Sequence, residues 1–236
     1  MKKVILGATG SIGSSLAKKL VESGEQVHLV GRDNASLSEL ANQLNSSFTS
    51  CDVLEENFSE KIVNDLKDDQ VNGLAYCVGS IDLKPLKLTK KSDFMQSFNL
   101  NLVSATEIIK SLADNLKTNK GSIVLFSTVA VKQGFPNHAI VSSAKGAVEG
   151  LTLALAAEYA PNIRVNCIAP SLTKSKISNF LLKNEKMAES IAKMHPLKRI
   201  GEGEDSASVA KFLLTDQSSW ITGQVLGVDG GRSSVA

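Results

Sequence analysis

Aromatic residues are scarce in this chain of 236 residues: they make up 5%, with one tryptophan and only two tyrosines. Lys+Arg number 26 against 24 Asp+Glu, a net +2. Without a basic surplus or a basic-aromatic platform, a nucleic-acid-binding role is excluded as a leading reading. The three cysteines, Cys51, Cys77 and Cys167, are odd in number and far apart, which excludes a disulfide framework; no CxxC pair suggests zinc, and no His/Cys/carboxylate cluster suggests any other metal. They read as buried free thiols in a reducing compartment. Long apolar runs are missing too. Val4-Ile5-Leu6 is shorter than the ~7–15 apolar residues of a signal peptide, and the charge-free stretch Val4–Ala17 is broken by glycine and below the ~18 residues of a membrane span. The expectation is a soluble, cytoplasmic protein with no membrane or nucleic-acid partner.

What is present is ordinary globular composition, 42% hydrophobic and 21% charged, enough for a sizeable core. The length suits a single α/β domain over 1–236. Short β-branched runs alternate with longer amphipathic segments, and the pattern predicts strands at Val4–Leu6, Val27–Val30, Phe48–Cys51, Leu74–Val78, Ile123–Phe126, Val165–Ile168 and Val225–Val228. Near-continuous apolarity implies burial on both faces, and the strand–helix rhythm implies parallel pairing through right-handed crossovers. The fold class is therefore a Rossmann-like, doubly wound α/β sheet of about seven parallel strands with helices on both faces. Such a sheet binds ligands at the carboxyl ends of its strands, near the point where strand order reverses.

Directly after the first strand stands Gly7-Ala8-Thr9-Gly10-Ser11-Ile12-Gly13, opening a helical pattern through about Ser23. Glycines let backbone approach a pyrophosphate, whose charge meets free N–H groups at a helix N-terminus. This predicts a dinucleotide held by Gly7, Thr9, Gly10, Ser11, Ile12 and Gly13. About 20 residues on, Gly31-Arg32-Asp33 ends the second strand. Arg32 can offer its donor fork to the 2′-phosphate of NADP; alternatively Arg32 is a solvated turn residue and Asp33 holds the 2′-hydroxyl of NAD. NADP is the reading taken.

With these, several segments resemble the short-chain dehydrogenase/reductase family, from about Val4 to Gly231. Cys51-Asp52-Val53 resembles the family's post-strand Asp-Val, implying that Asp52 and Val53 contact the adenine. The segment from Phe94 to Asn101-Leu102 resembles the helix carrying its active-site Asn, which implies that role for Asn101. Gly121–Thr128 resembles the strand ending at its catalytic Ser. Arg164–Pro170 and Trp220–Gly223 through Asp229–Gly231 are similarly close. The resemblance implies that Pro170, Ser171 and Ser175 lie at the nicotinamide, and that a substrate lid occupies about 174–198.

The chain departs from the family in places. Its glycine spacing is GxxGxxG, Tyr76-Cys77-Val78-Gly79 keeps only the glycine of Asn-Asn-Ala-Gly, and Ser171 stands where glycine is usual. The largest departure is at the proton-transfer residue. The family's Ser and its Tyr-x-x-x-Lys thirteen residues later fall here on Thr128 and on Val141-Ser142-Ser143-Ala144-Lys145. Lys145 remains, one helical turn from Val141, and the resemblance implies that it holds the nicotinamide ribose; the tyrosine is gone. General acid–base help is worth ~10²–10⁴-fold. Among possible substitutes, Tyr159 sits at the far end of the same helix and Tyr76 reads as strand core. His138 would open the helix, capped by Asn137, on the face of Val141 and Lys145, although a loop-edge histidine is its ordinary reading. His28 and His195 read as structural or surface residues.

The expected function is NADP(H)-dependent hydride transfer between the cofactor and a small alcohol or carbonyl substrate, with Asn101, Thr128 and Lys145 as the residual active site and His138 as a candidate acid. The alternative is a catalytically impaired NADP(H)-binding sensor or partner subunit. The resemblance also implies a homodimer or homotetramer built on helices Asp93–Leu116 and His138–Ala160.

Overall fold

The computed structural model describes residues 1–235. In chain order the elements are β1 (Lys2–Leu6), α1 (Ser11–Glu22), β2 (Gln26–Gly31), α2 (Asn34–Leu44), β3 (Ser47–Ser50), α3 (Phe58–Leu66), β4 (Val71–Tyr76), α4 (Lys91–Phe98), α5 (Ser104–Thr118), β5 (Ser122–Phe126), α6 (Ala139–Tyr159), β6 (Arg164–Pro170), α7 (Asn179–Leu182), α8 (Glu185–Lys193), α9 (Gly203–Leu214) and β7 (Val225–Val228). All seven strands predicted from apolar runs are present. They form one parallel sheet in the order β3-β2-β1-β4-β5-β6-β7, so strand order reverses between β1 and β4.

The apolar strands divide between two cores as a period-two pleat requires. On one face Val4 and Leu6 of β1 join Leu74 and Ile123 beneath Ile62 of α3, Ile108 and Leu116 of α5 and Val148 of α6. On the other, Ile5 joins Leu29, Val124 and Ile168 beneath Leu16 of α1, Leu37 of α2 and Leu213 of α9. Helix α6 is long and apolar enough to cross a bilayer, but here it lies against β5 and β6. Its apolarity is accounted for by that packing.

Two expectations about helices need correction. The segment from Asp93 to Leu116 is not one α-helix: a π-helical turn, Asn99–Val103, separates α4 from α5. Helix α6 begins at Ala139, with His138 in the N-cap position and no side-chain cap; Asn137 stands outside with φ +67°, a conformation asparagine tolerates better than most residues. His138 thus stands one residue before the helix that bears Val141 and Lys145.

At the far edge of the sheet a buried polar chain ties β2, β3 and α3 together. Lys2 Nζ donates to Ser47 Oγ (2.9 Å), which lies 2.8 Å from His28 Nδ1; His28 Nε2 lies 2.9 Å from Thr49 Oγ1, which donates to Asp65 at 2.6 Å. Donation runs in one direction from ammonium to carboxylate, which makes His28 neutral with its proton on Nε2. Burial and Lys2 together push the His28 pKa down to about 4. His28 is structural, as expected.

Candidate functional site

The carboxyl ends of β1, β2, β4, β5 and β6 open onto one cleft of about 660 Å³, within the usual range for small-molecule sites. The strand-order reversal places it there. The glycine turn after β1 forms its floor. Gly7 adopts φ +75°, and a Cβ there would come within 3.0 Å of the Cys77 carbonyl group; a Cβ on Gly13 would lie 2.3 Å from Gly7 O. These contacts require glycine, and they let α1 start immediately against β1. The first backbone N–H groups of α1 lack partners in the helix, and no acidic side chain occupies its first turn to compete for an anion. Thr9, Gly10, Ser11, Ile12 and Gly13 all line the cleft.

At one end Arg32, 75% exposed, lies 3.4 Å from Asp52, a loose contact by ion-pair standards. Asp33 caps α2, accepting from Ser36 N at 2.7 Å, and that bond holds its carboxyl below the usual range. Asp52 also accepts from Leu54 N (3.0 Å), and Val53 forms buried wall beside it. Arg32 is thus the side chain at this end least engaged with the protein.

Deeper in, Lys145 is almost fully buried and donates to Phe126 O at 2.8 Å; desolvation lowers its pKa to about 8. Asn101, aimed inward by the π-helical turn, donates from Nδ2 to Ser97 O (2.9 Å), while its Oδ1 is buried without a partner. A Cβ on Gly79 would stand 3.2 Å from both Asn101 Oδ1 and Lys145 Nζ, so the missing side chain leaves a cradle between an unmatched acceptor and a cation. A dinucleotide fits this donor set: backbone amides and Arg32 for phosphates, the Lys145–Asn101 pair for ribose hydroxyls.

The structure separates the neighbouring hydroxyls. Ser127 makes a short bond to the Glu149 carboxylate and is committed there, whereas Thr128 lines the cleft and accepts only a long contact from Ala130 N (3.3 Å). Val141 lines the cleft with a hydrocarbon surface. Neither tyrosine lines the cleft: Tyr76 is buried, donates to Leu100 O at 2.7 Å and has a raised pKa from desolvation, and Tyr159 packs under Lys117. His138 does line the cleft, its Nδ1 bonded to Pro136 O (2.8 Å) and its ring edge-on to Phe135. Burial raises Cys77 and Cys167 to about 12, so both remain thiols.

Pro170, Ser171 and Ser175 also line the cleft. Ser175 is tied into a turn with Ser178, Oγ to Oγ at 3.0 Å. Of the apolar residues in 174–198, Ile177, Leu181, Ile191 and Met194 reach the cleft, while Phe180 and Met187 are exposed. Sequence reasoning missed two features. Arg232 lies on the cleft wall against the Phe135 ring, 4.6 Å from its centroid. His195 is buried and meets Ser171 Oγ through Nε2 at 2.8 Å. Neither carries a local sequence signal, because Arg232 reaches the cleft, and His195 reaches Ser171, from a distant turn.

Residues 7–233 match the family model described as "Enoyl-(Acyl carrier protein) reductase". A tropinone reductase homolog of Arabidopsis thaliana is 34% identical over 238 residues, covering 97% of this chain and 90% of its own. The 3-oxoacyl-(acyl-carrier-protein) reductase of Rickettsia bellii is 31% identical over 235 residues, covering 98% and 96%. Among solved structures, ElxO with NADP bound superposes with a TM-score of 0.91 at 28% identity, over 99% of this chain and 98% of that one.

Proposed function

Since the chain belongs to the short-chain dehydrogenase/reductase family, we propose that it is an NADP(H)-dependent oxidoreductase acting between an alcohol and a carbonyl compound of small size. The observation that carries this is the cradle in which buried Lys145 and the unpartnered Asn101 Oδ1 converge on the space left by Gly79. When bound, the nicotinamide supplies or accepts the hydride.

The chain's own residues then hold and orient. The Gly7–Gly13 turn and the α1 N-terminus take the pyrophosphate. Arg32 takes the 2′-phosphate, supported by its loose attachment and by the NADP bound in the ElxO neighbour. Asp52 and Val53 flank the adenine. Lys145 donates to the ribose, Asn101 Oδ1 accepts there, and Pro170, Ser171 and Ser175 bound the nicotinamide pocket. Thr128 donates to the substrate oxygen. Residues 174–198 close over the substrate as a lid, whose apolar members at the cleft exclude water. A single domain, assembly into a homodimer or homotetramer through α5 and α6, and a cytoplasmic location complete the reading.

A second reading is a cofactor-binding protein with little turnover. Val141 and the commitment of both tyrosines elsewhere favour it. Titration with NADPH, joined to a panel of carbonyls and alcohols for wild type and Val141→Tyr, separates the two. Wild-type turnover lost in Thr128→Ala and Lys145→Ala supports the enzyme. Tight NADPH binding with turnover only in Val141→Tyr supports the binder.

A further inference from the structure

His195 is 1% exposed, and both of its ring nitrogens are matched. Nδ1 lies 2.8 Å from Ile191 O, a carbonyl that can only accept, so Nδ1 carries a proton. In the neutral ring Nε2 is then an acceptor, and Ser171 Oγ, 2.8 Å away, must donate to it. The serine's lone pairs are left for another donor. That donor would come from the cleft, because Ser171 lines it, and no other protein group bonds this hydroxyl among the described residues. The backbone locates the pair further. Val129 N donates to Pro170 O at 3.1 Å, so the strand ends carrying Thr128 and Ser171 lie side by side. Both hydroxyls line the cleft that Val141 also lines.

We propose that Ser171 and His195 form a proton-transfer pair that does the acid–base work Val141 cannot do. The proposal rests on the oxidoreductase reading above. In the oxidative direction the substrate alcohol donates to Ser171 Oγ. As hydride leaves its carbon for the bound dinucleotide, the O–H bond breaks, its electron pair forms the second C–O bond, Ser171 takes that proton and passes its own to His195 Nε2. In reduction the proton moves from imidazolium through Ser171 to the carbonyl oxygen, whose π pair receives it as hydride reaches the carbon. Ser171 touches the substrate; His195 acts through it. Around the imidazole stand Asp229, held by Gly231 N, Ser233 N and Ser233 Oγ, with Arg232 on Met194 and Lys198 in the following turn. Gly230 packs against the ring: a Cβ there would lie 3.5 Å from His195 Cβ.

Two measurements test the pair. The first is the ¹⁵N spectrum of the histidine rings in the unliganded protein, with His195→Gln assigning the signal. The expected form at neutral pH is the Nδ1–H tautomer, perturbed in Ser171→Ala; an Nε2–H tautomer overturns the proposal whatever the activity. The second follows butane-2,3-dione reduction with NADPH and butane-2,3-diol oxidation with NADP⁺. Ser171→Ala and His195→Gln should each lower kcat by about 10²–10⁴-fold, with NADPH affinity unchanged in His195→Gln. Wild-type kcat in both variants overturns the pair and leaves the oxidoreductase reading standing. A wild type that binds NADPH but turns over neither probe overturns both.

Discussion

Lys145 donates to the carbonyl oxygen of Phe126 at 2.8 Å, so the cation of the cleft is anchored to the end of β5 before any ligand arrives. The rest of its coordination faces Gly79 and Asn101. Burial lowers its pKa from 10.5 to about 8, so the unliganded protein loses this proton as pH rises through 8. If the ammonium donates to the ribose, NADPH affinity is highest below pH 8 and declines above it. Fluorescence titration from pH 6.5 to 9.5 should show that decline, and Lys145→Met should abolish it while weakening binding by about 10- to 100-fold, the worth of a charged hydrogen bond.

Arg32 makes only a 3.4 Å contact with Asp52 and has no other ion pair among the described residues. Arg32→Ala should weaken NADPH binding by about tenfold or more and change NADH binding little. Calorimetric titration of both cofactors checks this, and an equal loss for both would remove the 2′-phosphate role.

Gly79→Ala puts a methyl group 3.2 Å from both Asn101 Oδ1 and Lys145 Nζ, inside the cradle. A misfit of this kind costs on the order of 1–3 kcal/mol. It should appear as NADPH affinity reduced about tenfold, with the far-ultraviolet circular dichroism of the folded protein retained.

The His28 chain gives an acid-stability signature. A histidine whose folded pKa is about 4 against 6.5 binds its proton more readily when unfolded. Stability should therefore fall as pH drops from about 6.5 to 4, by about 3 kcal/mol at the low end. Urea unfolding at pH 7 and at pH 4.5 measures the difference. In His28→Asn that part of the pH dependence should vanish, on a lower baseline caused by the unmatched Ser47 and Thr49 hydroxyls.

The sheet was legible because strands covered on both faces are apolar at every position, as in Val4-Ile5-Leu6 and Ile123-Val124-Leu125-Phe126. The glycine turn was legible because steric demand leaves a fixed residue type: a Cβ at Gly13 has no room. Asn101, Thr128 and Lys145 were placed by resemblance, and the structure brings all three to the same cleft region, Asn101 through the Gly79 cradle. The helix starts were less legible. Asn137 has a capping residue's chemistry, but its left-handed backbone prevents it from capping α6. His195 was read as a structural or surface residue because nothing near it in sequence marks it. Its partner Ser171 is 24 residues away, and only the folding of α8 back onto the end of β6 joins them.

The π-helical turn at Asn99–Val103 spends one more residue on its turn than an α-helix would. The extra residue widens the turn and changes the angular phase of everything after it. The four apolar neighbours of Asn101, Leu100, Leu102, Val103 and Phe98, could have continued a regular helix without difficulty. Removing one of them would restore that regularity and rotate the carboxamide away from Lys145 by about a quarter turn. In this segment, then, the best local helix and the working cleft are incompatible, and the chain has kept the cleft.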